Sequence, residues 1–411
     1  MYKKSKSYNL FDFYIILLIG ALCFGRIGGA FEVERLLAIL LAPILYVNIF
    51  KTGCGYARLI FKWLVLFYLF FVVSILWSPD KMEGIKELIY FLIEFILFLE
   101  LIVFARFAMN PMKSLSNGWL ITVLLCSLVA IWEITTGNHL SYAEDQNYIR
   151  NIGDEIIQQR AASVTFGNYN SYVAFLCFSF PWIVYLFFEK GRSFFVIFFT
   201  IFVLIMGLIA VIFNASRGGF LSVIIMLVVY ATLSKKSIKK SLFFICLFSL
   251  IVFLVFQYGD SIFALIIARS SDGGLINGDS RSEIWSNTLK AFSDTYGMGV
   301  GVGGVIPSIT QYAHGGIPVP HNLFLEILVE FGFIITLIVL LFIVSLLFKS
   351  MKVERHRKVV LLMSLLSMPV YTIIDSRYLF SSHFYALMAT IYIFANYELI
   401  KRPNGTLRQT A

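Results

Sequence analysis

An all-α, polytopic membrane fold is what this 411-residue sequence predicts, and three observations carry the expectation. Hydrophobic residues make up 59% of the chain and charged residues 14%, with a mean hydropathy of +0.84. A soluble core could not hide that much apolar surface. The apolar residues also come in runs, and crossing the hydrocarbon as helix takes roughly 20 residues. Third, the 33 basic residues alternate from one connection to the next, leaving 22 on one side, together with both termini, and 11 on the other. The positive-inside rule makes the richer side cytoplasmic. The whole chain, 1–411, reads as a single integral membrane domain.

Taken in order, about twelve spans are expected. Lys3, Lys4 and Lys6 precede the first, near 13–30; they resemble a signal n-region, but no clear small-residue cleavage site follows, so the span is read as uncleaved. Spans near 33–50 and 59–77 flank the basic connection of Lys51, Arg58 and Lys62. The fourth, near 85–105, carries Glu94 and Glu100, read as structural or cavity-lining. A fifth span near 115–134 precedes an outer segment, about 135–168. Spans near 169–188, 193–213, 219–233 and 242–257 follow, the last two short, with Lys235, Lys236, Lys239 and Lys240 between them. The largest outer loop, about 258–322, separates spans nine and ten. Within it DSRSEIWSNTLKAF predicts a short amphipathic helix near 281–292, with Ile284, Trp285, Thr288, Leu289 and Phe292 on one side. That helix would lie on the membrane or cap the bundle. Spans near 323–348, 359–374 and 383–400 complete the chain.

With few basic residues expected outside, each arginine there asks for a reason. Arg217 stands in NASRGGF, a very short outer turn; Arg281 in GDSRSEIW; Arg160 in QQRAASVTFGNYN, just before the sixth span. A guanidinium offers a planar fork of donors suited to phosphate oxygens, and two or three together suit a diphosphate. Each has a structural alternative: Arg217 as a helix cap or headgroup contact, Arg281 stacked on Trp285, Arg160 paired with Asp154 or Glu155. His321 opens the tenth span after Pro320 and is a candidate proton acceptor, or else an interfacial capping residue. Asn322, Glu326 and Glu330 follow at i, i+4, i+8 and share a helix face. Ionisable groups inside a span are costly and face a cavity or a partner. They either orient His321 and bind sugar hydroxyls or make a polar contact with another helix. His383, opening the last span, is a weaker alternative base; His139, His314 and His356 have no comparable setting.

Other chemistries are excluded by the same reading. GVGVGG at 299–304 fits G-x-G-x-x-G formally, but no βαβ unit surrounds it, so its glycines read as a tight backbone path or a mobile loop. There is no phosphate-binding GxxxxGK[ST], no HExxH and no DxD, so no cofactor and no metal are expected. Cys23, Cys54, Cys126, Cys177 and Cys246 form no CxxC pair, which argues against a disulfide or zinc site. The net charge of +9 follows from membrane sidedness and points to no nucleic acid.

In order, TFGNYNSYVAFL, ASRGGFL, RSEIWSNTLKAF with GMGVGVGG, and HNLFLEILVEFG resemble the O-antigen ligase and O-antigen polymerase superfamily. The resemblance covers about 160–332; the flanking spans match in hydropathy alone. It implies a bacterial glycosyltransferase of the cytoplasmic (inner) membrane, working on the outer face without a cofactor. The donor would be a glycan on undecaprenyl diphosphate, with a glycan acceptor, surrounding lipids and a chain-length regulator as partners. Arg217 matches the arginine of the family's S-R-G motif, Arg281 the arginine opening the outer-loop helix, and His321 the histidine of its H-N motif. Arg160 and Asn170 match the sixth-span entry less closely, since Tyr169 stands where proline is common. The resemblance implies catalysis by His321, Arg217 and Arg281, and substrate binding by Arg160, Asn170, Asn322, Glu326 and Glu330. Polymerisation of lipid-linked repeat units into O-antigen, capsule or a related polysaccharide is the favoured activity. Ligation to lipid A–core or another acceptor is the alternative. A flippase or transporter would show repeats or charges spread through the spans, and the sequence shows neither.

Overall fold

A computed structural model describes residues 8–25, 27, 32–50, 55–140, 147–152, 155–189, 193–234, 279–312 and 319–401. Among them the chain is helical apart from one two-stranded ribbon. The first half holds α1 (Leu10–Ala21), α2 (Val33–Phe50), α3 (Gly55–Ser74), α4 (Lys81–Phe107), α5 (Pro111–Thr136), α6 (Tyr169–Tyr185), α7 (Phe194–Phe213) and α8 (Arg217–Leu233). The second holds α9 (Asp279–Ser293), α10 (Val305–Thr310), α11 (Leu323–Lys352), α12 (Arg355–Tyr371), α13 (Ser382–Ala395) and α14 (Tyr397–Lys401). Seven helical segments, in the regions of α2 to α7 and α11, are long and apolar enough to cross a membrane. Leu10–Phe24, α8 and α13 are shorter apolar helices, and α12 stands where the eleventh span is expected. The expected ninth span, 242–257, lies outside the described residues, as does much of the expected outer loop at 258–278. The chain is a membrane protein with seven such helices among its described residues.

The departure from an all-α fold is an antiparallel hairpin of β1 (Asn147–Ile152) and β2 (Glu155–Arg160), with Asn147 opposite Arg160 and Ile152 opposite Glu155. It falls in the segment expected to be an outer loop. Two six-residue runs around Gly153 and Asp154 are the kind of sequence that pairs in this way.

One end of the bundle gathers the end of α5, the starts of α4, α6, α8, α11 and α13, and the turn after α12; it is the end that the basic-residue pattern leads one to expect outside. The Arg35 guanidinium ties α2 to two other elements there: Nε donates to Glu94 Oε1 of α4 at 3.0 Å, and Nη2 to the Phe380 carbonyl at 2.6 Å. At the same end Leu323 N donates to the Thr372 carbonyl at 3.2 Å, joining α11 to the end of α12. Breaking a buried ion pair such as Arg35–Glu94 by removing one partner costs about 3–5 kcal/mol, because a charge is left buried alone.

The glycine run between α9 and α10 is a tight path through the bundle. Gly332 (φ +81°) interrupts α11, which would otherwise leave backbone groups unpaired in an apolar setting. The glycine run supplies them. Val300 N donates to Val329 O (2.7 Å), Gly301 N to Glu330 O (2.9 Å), and Gly297 O accepts from Phe333 N (3.0 Å). On its other side, Gly299 O accepts from Trp77 Nε1 (3.0 Å), and Val302 N donates to Ser74 Oγ (3.1 Å). Gly303, at φ +80°, lies against the backbone of Gly84, so a Cβ has neither the torsion nor the space.

Helix α9 packs on α10 and α11 and so caps the bundle. Its buried residues are Ile284, Asn287, Thr288 and Ala291, while Leu289 is exposed. The apolar face is therefore rotated from the one the sequence pattern selects, because Ala291 meets Val300, Ile309 and Val329.

Candidate active site

Arg217 is positioned by the turn before it. The Asn214 carboxamide pairs with the backbone of Ala162 as another strand would: Ala162 N donates to Oδ1 at 2.7 Å, and Nδ2 donates to Ala162 O at 2.9 Å. Ala215 then takes a left-handed conformation (φ +46°), and Ser216 caps α8 by accepting from Gly219 N. That leaves Arg217 as the first residue of the helix. The segment Asn214 grips is itself fastened. Glu133 Oε2 accepts from Ser163 N (2.8 Å) and Val164 N (2.9 Å), and Thr165 Oγ1 donates to Cys23 O (2.7 Å). Asn168 caps α6, accepting from Asn170 N at 2.7 Å, and Tyr169 comes within electrostatic reach of Arg217.

Arg281 is exposed in the first turn of α9. One turn on, Trp285 Nε1 donates to the Pro320 carbonyl at 2.8 Å, docking the helix on the residue before His321. Arg281 thereby lies within electrostatic reach of both Arg217 and His321. His321 has left-handed backbone (φ +46°), a costly state for a β-substituted residue and one found disproportionately at functional sites. Burial, and next the Arg281 guanidinium, hold its imidazole below the usual pKa of 6.5, so it is neutral near pH 7 and able to accept a proton.

Three predicted residues thus come together: Arg217, Arg281 and His321. The others stand elsewhere. Asn322 caps α11, its Oδ1 accepting from Phe324 N (3.0 Å) and Leu325 N (3.3 Å). Glu326 is buried and anchors the strap after α12, accepting from Arg377 N (2.6 Å) and Tyr378 N (3.1 Å). Glu330 is buried and lies within electrostatic reach of Glu87 of α4. Asn170 sits in the first turn of α6. Arg160 ends β2, two residues before the Asn214 clasp, and its side chain is outside the described residues. His383 Nε2 lies 3.0 Å from Leu22 O and its Nδ1 3.3 Å from Ser381 Oγ, so both ring nitrogens are engaged. His139 sits 3.3 Å from Glu133, His356 stacks on Phe188 at the opposite end, and His314 is outside the described residues.

Residues 201–341 match the family model described as O-antigen ligase. This match and the relative described next support a likeness to the O-antigen ligase and polymerase superfamily. It is also 24% identical over 338 residues to the teichuronic acid biosynthesis protein TuaE of Bacillus subtilis (strain 168), an alignment covering 79% of this chain. The chain spans 64% of that relative's length. The segment matching the ligase family holds Arg217, Arg281 and His321 but not Arg160 or Asn170.

Sequence reasoning missed the residues that hold this cluster in place. Asn214 was visible inside NASRGGF, but its partner Ala162 is 52 residues away. Glu133, near the end of α5, is the acceptor for the Ser163 and Val164 N–H groups, about 30 residues on. Arg377 drew no attention, yet its backbone N–H meets Glu326, and its guanidinium lies 3.5 Å from Glu87 and 3.7 Å from Glu83.

Proposed function

We propose that the protein is a membrane glycosyltransferase that polymerises undecaprenyl-diphosphate-linked saccharide units on the outer face of the bacterial cytoplasmic membrane. The observation that carries this reading is the placement of Arg217 and Arg281 in the first turns of two helices, within reach of one another. A helix N-terminus bears partial positive charge, so a cation there is unfavourable by about 0.3–1 kcal/mol, and two neighbouring guanidiniums add repulsion. An anion between them reverses both signs, because helix N-terminal N–H groups and guanidinium forks are both donors suited to it. A diphosphate fits that demand. The superfamily match and the relative named for teichuronic acid biosynthesis support a part in polysaccharide synthesis.

The chemistry then follows from three side chains. The acceptor hydroxyl gives its proton to the neutral His321 imidazole as its oxygen attacks the anomeric carbon. The bond from that carbon to the diphosphate oxygen breaks, and its electron pair leaves on the diphosphate. Arg217 and Arg281 neutralise the charge that builds there. One displacement inverts the anomeric centre, and the proton passes from His321 to water. The activated bond is in the donor, so the reaction needs no nucleotide.

The test is a strain lacking this protein, complemented with wild type or with Arg217→Ala or Arg281→Ala. Loss of a polymerase leaves single repeat units on the lipid carrier. The second reading, a ligase, is favoured by the family's description; its loss leaves long polymer on the carrier. Unchanged surface glycan with either arginine variant, at normal protein level, overturns both. Reporter fusions after Lys240 and after Lys290 should fall on opposite sides of the membrane; the same side for both overturns the outer placement.

A further inference from the structure

A cavity of about 440 Å³ opens at the same end of the bundle, lined in part by Arg35, Lys86, Tyr90, Phe166, Ser171 and Arg377. That volume falls within the range of small-molecule sites, about 300–1,000 Å³. We infer that this cavity is the acceptor subsite and binds a hydroxyl-rich saccharide, an inference resting on the glycosyltransferase reading above. The lining argues the chemistry of the occupant. A lipid tail would strip water from the charged groups and offer their remaining donors and acceptors no hydrogen bond in return. A simple anion is disfavoured too, because Glu32 and Asp375 face the same space and the cations already have partners: Arg35 with Glu94, Lys86 with Glu83, Arg377 near Glu83 and Glu87. Paired charges that keep spare donors and acceptors, interleaved with aromatic rings, suit sugar hydroxyls and the C–H faces of a sugar ring.

Position argues the role. Tyr169 lies within electrostatic reach of Arg217, whereas Ser171, two residues along the same helical turn, lines the cavity. The strap after α12 repeats the pattern: Ile374 packs against Gly218, beside Arg217, and the next residues, Asp375, Ser376 and Arg377, line the cavity. The strap is pinned to α11 by Glu326, just over one turn below His321. The same two segments therefore border both the cavity and the arginine–histidine cluster, which would set a bound saccharide beside the reacting bond.

The experiment compares Ser171→Phe, which fills the cavity, and Lys86→Gln, an exposed position tolerant of change, with Arg217→Ala. Each full chain is expressed in the strain lacking the protein. Two quantities are read: the polymer made, and the polyprenyl-diphosphate saccharide that co-purifies with the protein, by mass spectrometry. Ser171→Phe should lower polymer at least about tenfold, and Lys86→Gln about three- to tenfold, the loss expected for one polar contact. Both should retain co-purifying donor at the wild-type level, whereas Arg217→Ala should lose it. Retained donor also reports a folded protein; if Ser171→Phe does not accumulate, the double variant Lys86→Gln/Arg377→Gln replaces it. Wild-type polymer from the cavity variants, or donor lost from them, overturns the inference while leaving the glycosyltransferase reading intact. Polymer and donor both unchanged in Arg217→Ala overturns that reading instead.

Discussion

The two ends of the bundle use cations in opposite ways. At the end richer in basic residues, they close helix C-termini. Arg106 Nη1 donates to Ile400 O at 2.9 Å, Arg355 Nε to Leu233 O at 2.7 Å, and Arg58 to the carbonyls of Ile49 and Phe50; Lys401 Nζ meets the carbonyls of Arg106 and Ala108. Each satisfies an orphan carbonyl and the negative end of a helix dipole, so its charge is spent on structure. At the other end Arg217 and Arg281 stand at helix N-termini, where a cation helps neither. Left-handed backbone at Val164, Ala215, His321 and Arg377 gathers there as well. Arg355 opens α12 as Arg217 opens α8, so an N-terminal position alone does not mark a ligand residue; the contrast lies in the helix C-terminus that Arg355 also closes, and in the strain gathered at the other end.

The largest expected effect tests the centre of that contrast. His321→Ala should lower transfer about 10²–10⁴-fold, the usual contribution of a general base, with donor still retained. Arg217→Ala and Arg281→Ala should each cost about 10²–10³-fold, as for other preorganised groups that stabilise developing charge. Lysine at either position should rescue poorly, since a point charge lacks the bidentate fork. Full activity of both lysine variants, measured with purified donor, would reduce the cluster to a field of positive charge.

A smaller effect sharpens the link between Arg281 and His321. Because the histidine's pKa is lowered from 6.5, the transfer rate should fall only as pH drops below that value. Removing the neighbouring cation favours the protonated ring and raises its pKa. Residual activity of Arg281→Gln should therefore begin to fall at higher pH than wild type. A pH–rate profile with an unmoved inflection would show that Arg281 does not act on the imidazole.

How much of this was legible in the sequence depended on the range of each interaction. Runs of apolar residues needed only local reading, and the seven described helices long and apolar enough to cross a membrane fall on expected spans. Arg217, Arg281 and His321 stood out as polar groups at the mouths of apolar segments. Glu326 and Glu330 stood out for the same reason, yet they lead inward: one carboxylate holds the 377–378 backbone, the other lies within electrostatic reach of Glu87. Sequence periodicity shows that a stripe must face something, but not which backbone will meet it. Arg35, Lys86 and Arg377 belonged to the sparse outer set as much as Arg217 did. They were passed over because their cavity forms from four separate helices and a strap, a grouping that no spacing along the chain records.

Stability rather than transfer should register changes to those inward contacts. Glu326→Gln leaves the Arg377 and Tyr378 N–H groups sharing one oxygen, with an NH2 group turned toward them, and a buried unsatisfied donor costs about 1–3 kcal/mol. Thermal unfolding in detergent should move down by several degrees with donor still bound. Gly303→Ala should do at least as much, since its φ of +80° and its contact with Gly84 both resist a Cβ. An unchanged melting temperature in both would mean that neither the strap nor the glycine path supports the fold.

The smallest effect lies at the opposite end, and the comparison needs it as much as the large ones. Arg355 is exposed, and its contact with Leu233 O caps α8 at the far terminus from Arg217. Arg217 is thus the first residue of α8, while Arg355, the first residue of α12, reaches the last carbonyl of α8. Arg355→Ala removes one solvent-screened hydrogen bond and a favourable contact with the end of α8 while relieving a cation at the start of α12, so the loss should be at most about 0.5 kcal/mol, a small shift in melting temperature. Transfer and donor retention should stay at wild type. Arg217→Ala should give the reverse: a lost cation at an N-terminus relieves the helix, so melting without donor should hold steady or rise slightly while transfer collapses. Measured side by side on purified protein, these two variants ask one question of one helix. If both lost stability and neither lost transfer, Arg217 would be a structural cation like Arg355, and the division between the two ends would fall.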